Sequence, residues 1–237
     1  MNVTAFVAGA TGYTGRALVI ELRRHGVRTV AHVRPDSARL EEWRQRFDAL
    51  GADTDMTAWA GQAMRETLFR VEPDIVFALL GTTRKRERAA RREGVTADYE
   101  AVDYGLTMML LRATLAAAPR ARFVYLSSAG VGPKARGAYL NARWRVEQEL
   151  RASGLAWTVA RPSFITGPDR AEQRPLERAS AAVIDAGLRA AAAVGAPQLQ
   201  DRWSSLGATD LARSLAAHAL DPASANCVIR ADQLRTP

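Results

Sequence analysis

Residues 4–15 read Thr4-Ala5-Phe6-Val7-Ala8-Gly9-Ala10-Thr11-Gly12-Tyr13-Thr14-Gly15. A short apolar run suited to a buried strand ends in glycines at three-residue spacing, and an amphipathic segment at 14–24 follows. Glycine lets the chain turn tightly and lets another group approach the backbone closely. A helix beginning there presents free N–H groups and its positive dipole end to an anion. Glycine spacing alone is weak evidence, and an ordinary glycine turn is the plain alternative. The position between a strand and a helix is what makes a phosphate-binding turn the better reading.

Outward from this turn, short valine- and phenylalanine-rich runs alternate with longer amphipathic segments, the pattern of βαβ units building a parallel sheet. Strands are expected near 3–8, 28–33, 56–60, 74–80, 122–127 and 156–161. Helices are expected near 14–24, 37–50, 62–70, 96–118 and 138–153, each long enough to cross over between parallel strands. Beyond Pro168 the alternation weakens. The expected architecture is one α/β domain over 1–237: a doubly wound, mostly parallel sheet (core about 1–168) with a small C-terminal helical cap (about 169–208). A helix near 209–220 and a strand near 226–230 close it. In such folds ligands bind at the carboxyl ends of the strands.

Composition narrows the function classes. The chain of 237 residues has a formal net charge of +8, which raises the question of nucleic acid. Its basic residues are spread along the chain, and the dense run from Arg84 to Arg92 is broken by Glu87, so no nucleic-acid partner is expected. Only Lys85 and Lys134 are lysines. Asp185 and Arg189 interrupt the alanine-rich tract at 181–196, so it reads as a soluble helix with no membrane role. Cys227 is the only cysteine, which excludes an intrachain disulfide, and together with an opening stretch too short for a secretory core it predicts a cytoplasmic protein. His25, His32 and His218 show no metal-ligand spacing, Glu41 and Glu42 read as a solvated helix face, and Ser127 and Ser128 lack the nucleophile-elbow glycines.

The loop residues Gly9, Thr11, Gly12, Tyr13, Thr14 and Gly15 are therefore candidates to hold the pyrophosphate of a dinucleotide, as in the Rossmann fold. Arg34 ends the second strand roughly 20 residues further on, where such folds read the ribose 2′ position. Its guanidinium suits a 2′-phosphate, with Ser37 and Arg39 as helpers, so NADP(H) is preferred over NAD(H). Asp36 leaves the NAD alternative open, since it can bind ribose hydroxyls or cap a helix. Leu80, Gly81 and Thr82 change from apolar to small and polar at a strand end where cofactor can pass. Ser127 and Ser128 end the fifth strand, and Tyr139 and Arg143 stand four apart on one helix face. Val146 and Leu150 continue that stripe inward, so a cation at 143 needs an anion or a cofactor to meet it. Leu140 and Trp144 form a competing stripe. A serine hydroxyl, a tyrosine phenol and a cation together are able to move a proton to or from a carbonyl or alcohol.

The glycine loop, Leu80-Gly81-Thr82-Thr83-Arg84, Val102-Asp103-Tyr104, Phe123 through Gly130, Tyr139 through Arg143, and Arg161-Pro162 through Pro175 together resemble an atypical short-chain dehydrogenase/reductase. The Tat-interacting-protein-like and NmrA-like members are the most similar, over nearly the whole chain. The resemblance implies NADPH held by residues 9–15, Arg34 and Leu80-Gly81, Tyr139 as proton acceptor, and Pro162 and Phe164 flanking the nicotinamide. The family places lysine where this chain has Arg143, which holds a charge but does not readily pass a proton. The expected function is oxidation or reduction of a small-molecule substrate, a carbonyl or alcohol. Ser128 or Ser127 would polarise its oxygen and Arg143 would orient ribose. The alternative is a non-catalytic NADPH-binding sensor or scaffold. A homodimer or a protein partner fits either reading.

Overall fold

The computed structural model describes residues 3–81, 99–166 and 206–235. Strand β1 (Thr4–Ala8) is buried at every position. Its alternation sends Ala5 and Val7 into one core and Phe6 and Ala8 into the other. Helix α1 (Tyr13–Arg24) follows the glycine turn directly. Then come β2 (Arg28–His32), α2 (Leu40–Ala49), β3 (Asp53–Asp55), α3 (Gly61–Val71) and β4 (Ile75–Ala78). A π-helical stretch (Glu100–Leu106) runs into α4 (Thr107–Ala117), followed by β5 (Arg122–Leu126), α5 (Ala138–Ala152) and β6 (Ala156–Arg161). Two short strands, β7 (Ile165–Thr166) and β8 (Leu206–Gly207), precede α6 (Ala208–Leu220) and β9 (Cys227–Arg230).

Seven strands form one sheet in the order β3-β2-β1-β4-β5-β6-β9, every pairing parallel. On one face Leu18 and Leu22 of α1 pack with Trp43 and Phe47 of α2 and Leu211 and Leu215 of α6. On the other, Met64 and Leu68 of α3, Leu110 and Leu111 of α4, and Val146 and Leu150 of α5 cover the strands. Both sheet faces are thus hidden from water, which explains why the strands read as near-continuous apolar runs. The expected doubly wound sheet is the observed one.

The end of α6 is held from across the sheet. Arg122 donates through Nη1 to the carbonyls of His218 and Ala219 (3.1 Å each) and Asp221 (2.6 Å). Those carbonyls have no partner within the helix, and the cation also opposes the negative end of its dipole.

Two expectations need correction. The third strand is Asp53–Asp55, not 56–60: the ladder pairs Val30 with Asp53 and His32 with Asp55. The apolar Met56–Ala60 run wraps the end of β2, where Trp59 packs on the His32 ring at 4.8 Å. The segment read as one helix at 96–118 divides into π-helical and α-helical parts, the π stretch placing buried Asp103 toward α5. The pairing of Ile165 with Leu206 was unforeseen, since two-residue strands show no periodicity. Thr82 and residues 169–205 of the expected cap at about 169–208 lie outside the described residues. Among the described residues no helix is long and apolar enough to cross a membrane.

His32 supplies a pH dependence. Burial pushes its imidazole below the ordinary value, against the opposing pull of its hydrogen bond to the Thr57 carbonyl (2.8 Å) and of Asp55, while Arg34 pushes the same way as burial. The fold therefore holds it neutral. Unfolded chain takes up a proton as pH falls through about 6.5 and native protein resists, so this stability is present above that pH and lost below it. We expect the Tm to fall between about pH 7 and pH 5. His32→Gln, which keeps an amide donor for Thr57, is expected to flatten part of that fall; an unchanged slope would rule out His32 as its source.

Candidate functional site

Because every pairing is parallel, the carboxyl ends of the strands line one edge. In sheet order this edge carries Arg34 after β2, the glycine turn after β1, Leu80-Gly81 after β4, Ser127-Ser128 after β5 and Pro162 and Phe164 after β6. Neighbouring strands lie about 4.8 Å apart, so the row spans about 19 Å, room for an extended ligand.

The glycine turn is as tight as the sequence implies. Gly9 has φ +87°, and a Cβ there would lie 2.5 Å from the Leu79 carbonyl oxygen. A Cβ on Gly15 would collide with the Gly9 carbonyl. The Gly12 N–H closes the turn onto Gly9 O at 3.0 Å. Among the described residues Gly12, at the N-cap of α1, has no side chain to cap the helix, so the helix start is turned toward this edge. Thr14 and Gly15 are buried, Thr11 and Tyr13 half-buried, and Gly12 exposed.

Beyond β2, Arg34 is partly exposed and pairs with Asp36 at 3.1 Å. Arg39 is engaged elsewhere: it donates to Glu42 at 2.6 Å and its guanidinium lies 4.7 Å from the centre of the Trp43 ring. Arg16, in the first turn of α1, lies 5.6 Å from the same ring.

The β5 edge is organised by α5, whose inward stripe carries Tyr139, Arg143 and Glu147 at four-residue intervals. Arg143 is buried and meets the carboxylate of fully buried Asp103 at 2.8 Å. It also donates to the Leu126 carbonyl and, at 3.5 Å, to the Leu80 carbonyl. Burial opposes its charge, but Tyr125, Tyr139 and Asp103 outweigh that and hold the guanidinium above its ordinary value. Its face lies 4.7 Å from the centre of the half-buried Tyr139 ring, which Tyr99 meets edge-on at 5.1 Å. Burial pushes the phenol of Tyr125, deeper on the same side, upward.

Gly81 passes over this ion pair: a Cβ there would lie 3.2 Å from Arg143 Nη2 and 3.6 Å from Asp103 Oδ1. Among the described residues, Arg143 Nε is a buried donor with no hydrogen-bond acceptor. That orphaned N–H, the uncapped start of α1 and the glycine cradle each fit a bound dinucleotide, with its hydroxyls and pyrophosphate as the missing acceptors.

The two serines part company. Ser127 is buried and donates to Glu147 at 2.7 Å, a carboxylate also held by Arg161 (2.9 and 2.6 Å) and Arg151 (3.1 Å). Ser128 is half-buried, and its hydroxyl donates to the Ala129 carbonyl at 3.2 Å. Pro162 is buried and its carbonyl accepts from the Ala129 N–H at 2.8 Å, whereas Phe164 is 48% exposed at the site's rim. Sequence reasoning missed Asp103 and Glu147 as site-forming residues. An acid inside the apolar Val102-Asp103-Tyr104 segment and an acid on the inward stripe of α5 were the available signals.

Residues 9–200 match the NAD(P)H-binding family profile. The mitochondrial protein fmp52-1 of Aspergillus terreus is 30% identical over 73% of this chain and 70% of its own length. Its Aspergillus oryzae counterpart is also 30% identical, over 76% and 72%. Among solved structures, a putative epimerase from Burkholderia cenocepacia superposes with a TM-score of 0.66 at 18% identity, covering 98% of this chain and 78% of that one. A putative NAD-dependent epimerase/dehydratase from Bacillus halodurans gives 0.65 at 18% identity, over 96% and 92%. The expectation of a cytoplasmic protein is corrected by the relatives, which are named as mitochondrial proteins. One unpaired cysteine fits any reducing compartment and never distinguished between them. With its glycine cradle, its parallel sheet and these matches, the chain belongs to the NAD(P)H-binding family, of the atypical short-chain dehydrogenase/reductase type.

Proposed function

We propose that the chain is an NADP(H)-dependent oxidoreductase acting on a small carbonyl or alcohol, with Tyr139 as the proton donor or acceptor. The observation that carries this is the placement of a partly accessible phenol and an accessible serine at the carboxyl end of β5, beside Leu80-Gly81 and against the Arg143 guanidinium.

A nicotinamide bound along this edge supplies or accepts the hydride. In the reducing direction Tyr139 gives its proton to the carbonyl oxygen as negative charge develops there, and recovers a proton from solvent. Ser128 donates to the same oxygen; Ser127 is better suited to positioning, since its hydroxyl is spent on Glu147. Arg143 keeps its charge beside the phenol throughout and passes no proton. Its role is to brace the phenol ring and to offer Nε to the cofactor.

Preference for NADP(H) rests on Arg34, whose half-exposed guanidinium at the end of β2 is placed to exchange Asp36 for a 2′-phosphate. Arg16 is a second cation on that side.

Two outcomes are expected. Arg34→Ala weakens NADPH binding by about tenfold or more, the worth of one charge-assisted hydrogen bond, and leaves NADH binding unchanged. Calorimetric titration with each cofactor measures this, and equal effects on both would remove Arg34 as the discriminator. In a screen of carbonyls and alcohols followed by nicotinamide absorbance, Tyr139→Phe lowers kcat by about 100-fold or more with NADPH affinity retained. Undiminished turnover in that variant would take the proton-transfer role away from Tyr139.

A further inference from the structure

Behind the β5–β6 edge, on the sheet face covered by α5, a pocket of about 430 Å³ opens where edge strand β9 runs past the helix. Arg151, Arg161, Arg230, Val228, Asp232 and Gln233 line it. β9 stands four strands from β1, about 19 Å along the sheet, so the pocket is separate from the glycine turn.

Two of the three guanidinium groups are held in place. Arg161 forks onto Glu147 with two hydrogen bonds, at 2.9 and 2.6 Å. Arg151 reaches the same carboxylate at 3.1 Å and lies 5.5 and 5.4 Å from the centres of the Trp144 and Trp157 rings. Both remain partly open to solvent, at 20% and 30% exposure, while Glu147 beneath them is fully buried. The side chain of Arg230 forms no ion pair among the described residues, and the Arg230 backbone N–H donates to Gln233 Oε1 at 2.9 Å, which fixes Gln233 at the rim. Counting Glu147 and Asp232 against the three arginines, the pocket keeps one uncompensated positive charge. Two of its cations are rigid, so little ordering entropy is lost when an anion docks on them.

We infer that this pocket is a binding site for a small dianion, of the phosphate-monoester class, held between Arg230 and the outward N–H groups of Arg151 and Arg161. Guanidinium forks match the oxygen spacing of phosphate, and the volume accepts a phosphate with a small organic group attached. Ligand here would sit beside the carboxylate that holds Ser127, at the β6–β9 end of the sheet.

The test is thermal unfolding of the full chain in increasing inorganic phosphate, with chloride at matched ionic strength as control, for wild type and Arg230→Gln. A bound anion raises the Tm saturably, whereas screening alone acts equally in both salts. We expect a saturable phosphate-specific rise in wild type that is lost in Arg230→Gln, with NADPH affinity the same in both proteins. No rise beyond the chloride control would overturn the proposal. So would an equal rise in the variant, because the phosphate would then be binding elsewhere, the glycine turn included.

Discussion

Arg143 carries a full charge into the protein interior, and the buried carboxylate of Asp103 is what makes that tolerable. Removing either partner of such a pair leaves an uncompensated buried charge, at a cost of about 3–5 kcal/mol. The pair binds together parts of the chain that are far apart in sequence: the π-helical stretch at Glu100–Leu106, the carbonyl at the end of β4, the carbonyl at the end of β5, and α5. It also crowds position 81, where a Cβ would lie 3.2 Å from Arg143 Nη2 as the β4 edge crosses over it. Three of the surfaces that a dinucleotide would meet are thereby referred to one guanidinium.

Helix α5 acts as the rack on which the β5 edge is set. Tyr139, Arg143 and Glu147 recur at four-residue spacing, so they form one stripe with three different tasks. Tyr139 reaches the accessible rim, Arg143 fastens the neighbouring strand ends, and Glu147 collects Ser127, Arg151 and Arg161. Two buried carboxylates, one from a neighbouring element and one from α5 itself, balance the arginines that the helix and β6 bring inward. Lysine is nearly absent from this chain, and its planar replacement supports several fixed hydrogen bonds at once, which suits a clamp better than a proton relay.

Much of this was legible in the sequence where local rules operate. The strand, glycine turn and helix at 4–24 are specified by adjacent residues, and the i, i+4 spacing of Tyr139 and Arg143 announced an inward cation in need of an anion. That the anion would be Asp103 was not legible, because the pairing spans 40 positions and depends on which helices become neighbours. The division of labour between Ser127 and Ser128 was within reach, since strand alternation puts Ser127 on the same side as buried Tyr125, toward α5. The third strand was misplaced because hydrophobicity alone cannot separate a short buried strand from a loop that packs on a strand end. Met56–Ala60 is the second kind.

The central claim is that the edge braced by Arg143 and Asp103 holds a nicotinamide dinucleotide. Its most direct test is a titration of the purified, folded wild-type protein with NADPH, following energy transfer from the protein's tryptophans to the reduced nicotinamide. The account predicts a saturable signal that unlabelled NADP+ displaces. No signal and no displacement, in protein shown to be folded by its cooperative unfolding, would contradict it.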